Sequence, residues 1–156
     1  MIDRVSRRNL LLQLASMAVL PIVRQARGAG ATPALQVFKD PLCGCCAKWV
    51  DHMRASGFAA SVTDTEMGPI RLKHGIGPRI ASCHTALVGG YIVEGHVPAS
   101  DVKRLLSTKP KGVRGLTIPG MPASAPGMDV EPFQPYTVLS FDVQGNTTTF
   151  AVHDKK

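Results

Sequence analysis

Several absences narrow the function of this 156-residue sequence before any motif is considered. It has no run of five or more Lys or Arg, so the electrostatic footprint of a nucleic-acid binder is missing. It has no internal repeat, which excludes solenoids and propellers. Its longest apolar stretch, Leu10 to Val23, is broken by Gln13, Ser16 and Pro21 and is too short to span a bilayer comfortably. It also lacks the two well-separated Cys pairs from which tetrahedral zinc sites usually draw their ligands.

The first 31 residues read as an address. Ser6-Arg7-Arg8-Asn9-Leu10-Leu11 sets a twin arginine directly before the apolar stretch, and Ala29-Gly30-Ala31 offers a small-x-small cleavage site. A basic start, a short apolar segment and small residues make a secretory signal, and the Arg-Arg pair points to Tat export. The expectation is a signal peptide over 1–31 and a single periplasmic domain over 32–156, with no stable membrane insertion after cleavage. The alternative is a first helix or anchor that stays attached. The net charge of +7 comes from 18 Lys and Arg against 11 Asp and Glu. Removing 1–31 leaves 13 basic against 10 acidic residues, so most of the excess belongs to the leader.

All four cysteines lie in the remaining part: Cys43, Cys45, Cys46 and Cys83. An even count in an exported chain normally signals structural disulfides. Here, however, three thiols fall within four residues, and the neighbours Cys45 and Cys46 cannot bridge each other without severe strain. The crowding reads as a site.

The pattern around them is α/β. Ala34 to Lys39 reads as a strand ended by Asp40-Pro41, and Ala47 to Ser56 as a helix stopped by Gly57. Phe58 to Thr63 reads as a second strand and Met67 to His74 as a short helix. Thr85–Val88 and Tyr91–Val93 flank Gly89-Gly90 as a hairpin. Ser100-Asp101 is expected to cap a last helix through Leu106. This β-α-β-α-β-β-α order, with cysteines between the first strand and first helix, is the layout of a thioredoxin-like fold. Residues 108–135 hold six prolines and four glycines and read as a long loop, which in a compact domain is usually functional or disordered. Tyr136–Asp142 and Thr147–His153 form a C-terminal hairpin.

A helix N-terminus favours anions, thiolates included. Cys43 and Cys46 have the C-x-x-C spacing of reversible disulfides, but Cys45 is placed about 100° round the helix from Cys46, so the sulfurs should fan out around the tip. Closely spaced thiolates suit bridging sulfurs and soft ions, with copper(I) ahead of zinc. Cys83, entering the third strand, would complete a four-sulfur pocket. His84 adjoins it, although strand neighbours point to opposite faces. Met121 and Met128, in Pro-Gly-Met turns, are either thioether ligands or cover for apolar surface. His96 is a ligand or, preferably, a turn residue. His52 lies about two turns along the helix, too far for direct ligation.

Cys-Gly-Cys-Cys-Ala-Lys-Trp, Ser-Cys-His-Thr-Ala, Gly-Tyr-Ile-Val-Glu-Gly-His-Val-Pro and Gly-Leu-Thr-Ile-Pro-Gly-Met-Pro occur in that order. Over Leu35 to Val152 the sequence resembles the CopG-like copper-resistance family, the metal-binding family also catalogued as domain of unknown function 411. The resemblance implies a periplasmic thioredoxin-like domain in which Cys43, Cys45, Cys46 and Cys83 hold a polynuclear copper cluster. It also implies copper(I)/copper(II) redox cycling; the expected partners are copper ions and other periplasmic copper-handling proteins. The alternatives are a thiol–disulfide oxidoreductase using Cys43 and Cys46, and a copper chaperone without redox activity.

Overall fold

The computed structural model describes residues 32–155; the expected signal peptide, 1–31, lies outside the described residues. Seven strands and three helices follow in the order β1 (Ala34–Lys39), α1 (Gly44–Ala55), β2 (Ala59–Asp64), α2 (Met67–His74), β3 (His84–Val88), β4 (Tyr91–Glu94), α3 (Ala99–Thr108), β5 (Gly115–Thr117), β6 (Tyr136–Phe141), β7 (Thr147–His153). The strands form one sheet in the order β2-β1-β3-β4-β5-β6-β7. β1 runs parallel to β2 and antiparallel to β3. β4 runs antiparallel to β3 and parallel to β5. The protein is therefore α/β, as expected, with the C-terminal hairpin extending the sheet.

Periodicity explains the layers. Leu35 and Val37 alternate inward along β1, while α1 buries Cys46, Trp49, Val50 and Met53 at i, i+3, i+4 and i+7, one face of a helix. All of these but Cys46 join Ala86, Val88 and Val93 in the main core. Leu87 and Ile92, which pair across β3 and β4, belong to the opposite face. There Ile76, Ile80 and Phe141 form a second apolar cluster. The Gly89-Gly90 hairpin turns with φ of +55° and +85°, a left-handed path natural to glycine.

The sequence-based expectations fail at four places. α1 begins at Gly44 rather than Ala47, so Cys45 and Cys46 lie inside its first turn. β2 is shifted by one residue. Ser100 and Asp101 do not cap α3: its N-cap is Pro98, with no side-chain cap bond. Asp101 instead accepts hydrogen bonds from Arg104 and His153. The Pro/Gly-rich segment contains β5, which pairs β4 with β6. Three residues are too few to show a period, and Gly115 opens them because a Cβ there would lie 2.1 Å from the Ile92 carbonyl oxygen.

Candidate metal centre

Asp40 starts the site. Its Oδ1 accepts the Leu42 N–H (2.8 Å) and its carbonyl accepts the Cys43 N–H (3.0 Å), turning the chain from β1 into α1. Cys43 is the N-cap of α1, with extended backbone, so its side chain turns back over the first turn. Cys43 and Cys46 form a disulfide, Cα to Cα 5.4 Å. Cys45 is a free thiol whose Sγ stands 3.5 Å from that of Cys43. All three sulfurs lie within 4.8 Å of one another. The expected fan is thus incorrect: a non-helical N-cap brings Cys43 across to the other two.

A second group shares Cys46. Its sulfur, the Cys83 sulfur and one ring nitrogen each of His84 and His96 are ligand atoms all within 4.8 Å of one another. Cys83 therefore reaches the helix tip as expected. His84 does too, despite the alternation argument, because Cys83 stands in a bend just before β3 and is outside the pleat. His84 opens β3 on the face of Ala86 and Val88, with its ring centroid 4.3 Å from Trp49 and 5.1 Å from His96. His96, preferred as a turn residue from sequence, is the ligand candidate that sequence reasoning undervalued. The hairpin register offered a signal. Thr85 pairs with Glu94, and continuing that register by two residues sets Cys83 opposite His96.

The imidazoles are prepared for a cation other than a proton. Burial, followed by the charges of His96 and Lys39, pulls His84 down to about 3. His96 is also lowered by burial, against the opposing effects of the Pro126 carbonyl and Asp129. His96 Nδ1 lies 2.7 Å from the Pro126 carbonyl oxygen; a carbonyl only accepts, so Nδ1 carries the proton. That leaves the Nε2 lone pair open, the arrangement of a metal-binding histidine. Nε2 of both His84 and His96 is buried without a hydrogen-bond partner, a costly condition that a ligated metal would relieve. The Cys83 thiol is pushed up to about 11, mainly by burial and then by Cys45, so a metal binding there must displace a proton.

The Pro/Gly-rich segment walls the site on two sides. Ser82 Oγ donates to the Gly120 carbonyl (2.8 Å), placing the Met121 turn beside Cys83. Gly127, at φ +85°, lies so close to α1 that a Cβ would be 2.7 Å from Trp49 N and 2.9 Å from the Cys45 carbonyl oxygen. Met128 follows it, half-buried, whereas Met121 is 57% exposed. His52 stays away, as expected. Its Nε2 accepts the Ala99 N–H (3.2 Å), and it lines a separate cavity of about 310 Å³ with Asp129 and His153.

Two solved structures resemble the chain closely. "Copper resistance protein copG- Form 1" shares 32% identity over 78% of this chain and 98% of its own, with a TM-score of 0.72. The chain belongs to the CopG-like copper-resistance family. "Copper resistance protein copG- Form 2" gives 33% identity over the same shares, with a TM-score of 0.71. The family description "Protein of unknown function, DUF411" matches residues 80–128. That span holds Cys83, His84, His96 and both methionine turns but not the helix-tip cysteines. No curated protein matches.

Proposed function

We propose that this chain is a periplasmic copper-binding protein, exported by the Tat route with 1–31 as signal peptide and 32–156 as its single, thioredoxin-like domain. Copper(I) is its cargo, held as a thiolate-bridged polynuclear cluster on Cys43, Cys45, Cys46 and Cys83, with His84 and His96 as nitrogen ligands. Met121 and Met128 stand as further soft donors at the rim. The observation that carries this reading is the convergence of ring nitrogens of His84 and His96 with the sulfurs of Cys46 and Cys83, in rings whose Nε2 atoms are buried without a partner. A structural zinc site would need only one closed set of four donors, whereas two overlapping sets suit more than one soft ion. A site with both sulfur and nitrogen donors also supports interconversion of copper(I) and copper(II) in copper resistance, with copper exchanged among other periplasmic copper-handling proteins. Among the described residues, no helix is long and apolar enough to cross a membrane. Anaerobic copper(I) titration of the reduced protein, with elemental analysis, tests this: more than one copper per chain supports it, and no uptake refutes it.

The Cys43–Cys46 disulfide favours one rival, a thiol–disulfide oxidoreductase. Cys45→Pro separates the two, since proline is tolerated in a first helical turn. Loss of multinuclear copper binding with the dithiol retained supports the cluster. Full copper loading together with raised disulfide reductase activity supports the rival.

A further inference from the structure

Glu94 is fully buried at the end of β4 and outside both donor groups. Burying a carboxyl is costly unless its oxygens are fully used. Both are. Oε2 accepts the Ser82 backbone N–H at 2.9 Å, and Oε1 accepts the Thr85 hydroxyl. These are the residues on either side of Cys83-His84. Nothing in β pairing alone requires this, because Thr85 and Glu94 are already joined as cross-strand partners.

The rest of Ser82 is held as tightly. Its carbonyl accepts Arg71 Nη2 from α2, and its hydroxyl donates to Gly120. On the other side, the His84 carbonyl accepts the Gly95 N–H at 2.9 Å. Cys83 stands in a bend with no ladder of its own, so these ties define where its sulfur goes.

We propose that Glu94 is a positioning residue for the metal centre: its two oxygens clamp Ser82 and Thr85 and thereby hold Cys83 and His84 towards Cys46. The copper part of this statement rests on the function proposed above; the positioning part does not. Arg71 is its accessory, fixing the peptide that enters Cys83.

The test compares Glu94→Gln with Glu94→Leu in the reduced, full-length exported protein. Gln keeps an acceptor for the Ser82 N–H and a donor for the Thr85 hydroxyl oxygen; Leu keeps only volume. Alkylation by iodoacetamide, read peptide by peptide, reports the accessibility of Cys83, with Cys45 as the internal control. In Glu94→Leu, Cys83 labelling should rise about tenfold at constant Cys45 labelling, the scale of a lost buried hydrogen bond. Copper(I) loading should fall to that of Cys83→Ser. Glu94→Gln should stay within about twofold of the unaltered protein on both measures. Unchanged Cys83 labelling in Glu94→Leu overturns the proposal, and so does a Gln variant that behaves like Leu. Should Glu94→Leu fail to fold, Thr85→Val removes one tie alone; labelling about threefold faster supports the clamp, and no change overturns it. A copper-free unaltered protein would defeat the copper reading while leaving the labelling comparison decisive.

Discussion

At the helix tip, Cys43, Cys45 and Cys46 lie within four residues and offer sulfur alone, the first two partly open and Cys46 buried. Across from them, Cys83, His84 and His96 come from both sides of a hairpin, mix sulfur with nitrogen, and are almost enclosed. The first wall is built on one turn of backbone, with two of its sulfurs joined in a disulfide. The second is built into the sheet, and its rings pack in series against Trp49. A partly open sulfur wall facing a buried mixed wall suits a site that must both take up a soft ion and keep it. Cys46 belongs to both.

The shared atom gives the largest expected effect. Cys46→Ser should cost more affinity for copper(I) than the roughly 10–100-fold typical of an outer-shell partner, because it breaks both donor groups at once. Cys43→Ser breaks only the helix-tip group and should leave part of the copper bound. A competitive titration with a colorimetric copper(I) chelator measures both. Equal losses in the two variants would mean the walls act as one set, and the comparison above would fail.

His96→Ala attacks the second wall alone, and about a tenfold loss of affinity is expected. The chain has one tryptophan, whose ring stands 4.3 Å from that of His84, so copper entering the second wall should quench its fluorescence. In His96→Ala the quenching should shrink while copper at the helix tip remains detectable by elemental analysis. Undiminished quenching and affinity would place His96 outside the coordination sphere.

The two walls were unequally legible in the sequence. Cys43-Gly44-Cys45-Cys46 announces itself because its residues are adjacent, and a strand ended by Asp40-Pro41 places it at a helix start. The second wall is long-range. Only the layout of the fold places Cys83, while local rules about strand alternation and turns count against His84 and His96. The alternation rule fails because Cys83 precedes the first paired residue, His84. Six of the seven strands are legible in the sequence; β5 is not, being too short for periodicity and set among prolines. The ties of Glu94 and Arg71 to Ser82 had no local signal, since each spans elements that only the tertiary fold brings together.

The Pro126–Met128 turn closes the gap between the walls, and Gly127→Ala should disturb it. The residue has positive φ, and the new Cβ would meet backbone atoms of Cys45 and Trp49, which cannot move aside as a side-chain end could. A destabilisation of about 1–3 kcal/mol is expected, readable as a lower melting temperature of the metal-free protein. No shift would mean that the loop lies further from α1.

The second wall should also leave a signature in acid. His84 is held at about 3 against an ordinary 6.5, so between these values the unfolded chain binds a proton there that the folded chain refuses. Its contribution to stability is present above pH 6.5 and is lost as pH falls towards 3. Glu94, raised to about 7 from 4.5 chiefly by burial, runs the other way: its contribution is present below pH 4.5 and lost as pH rises through about 7. His84→Asn should therefore flatten the acid limb of melting temperature against pH in metal-free protein and leave the neutral limb unchanged. An acid limb of unaltered slope would show that His84 does not set it.

The smallest effect belongs to a histidine outside both walls. His52 lies on the same helix as the cysteines, yet its Nε2 is occupied by the Ala99 N–H, and Ala99 opens α3. The first N–H groups of a helix have no partner inside it, and Pro98, the N-cap, supplies no side-chain cap. His52 thus does the work of a cap from a neighbouring helix, and its pKa, lowered by burial, keeps the ring neutral and able to accept. His52→Ala should cost about 0.5–1.5 kcal/mol, the ordinary value of one hydrogen bond, and leave copper(I) loading and tryptophan quenching unchanged. His52→Gln, whose side-chain oxygen can also accept, should recover part of that loss. Copper loading halved in His52→Ala would overturn the assignment, because the cavity it lines with Asp129 and His153 would then be in communication with the metal centre.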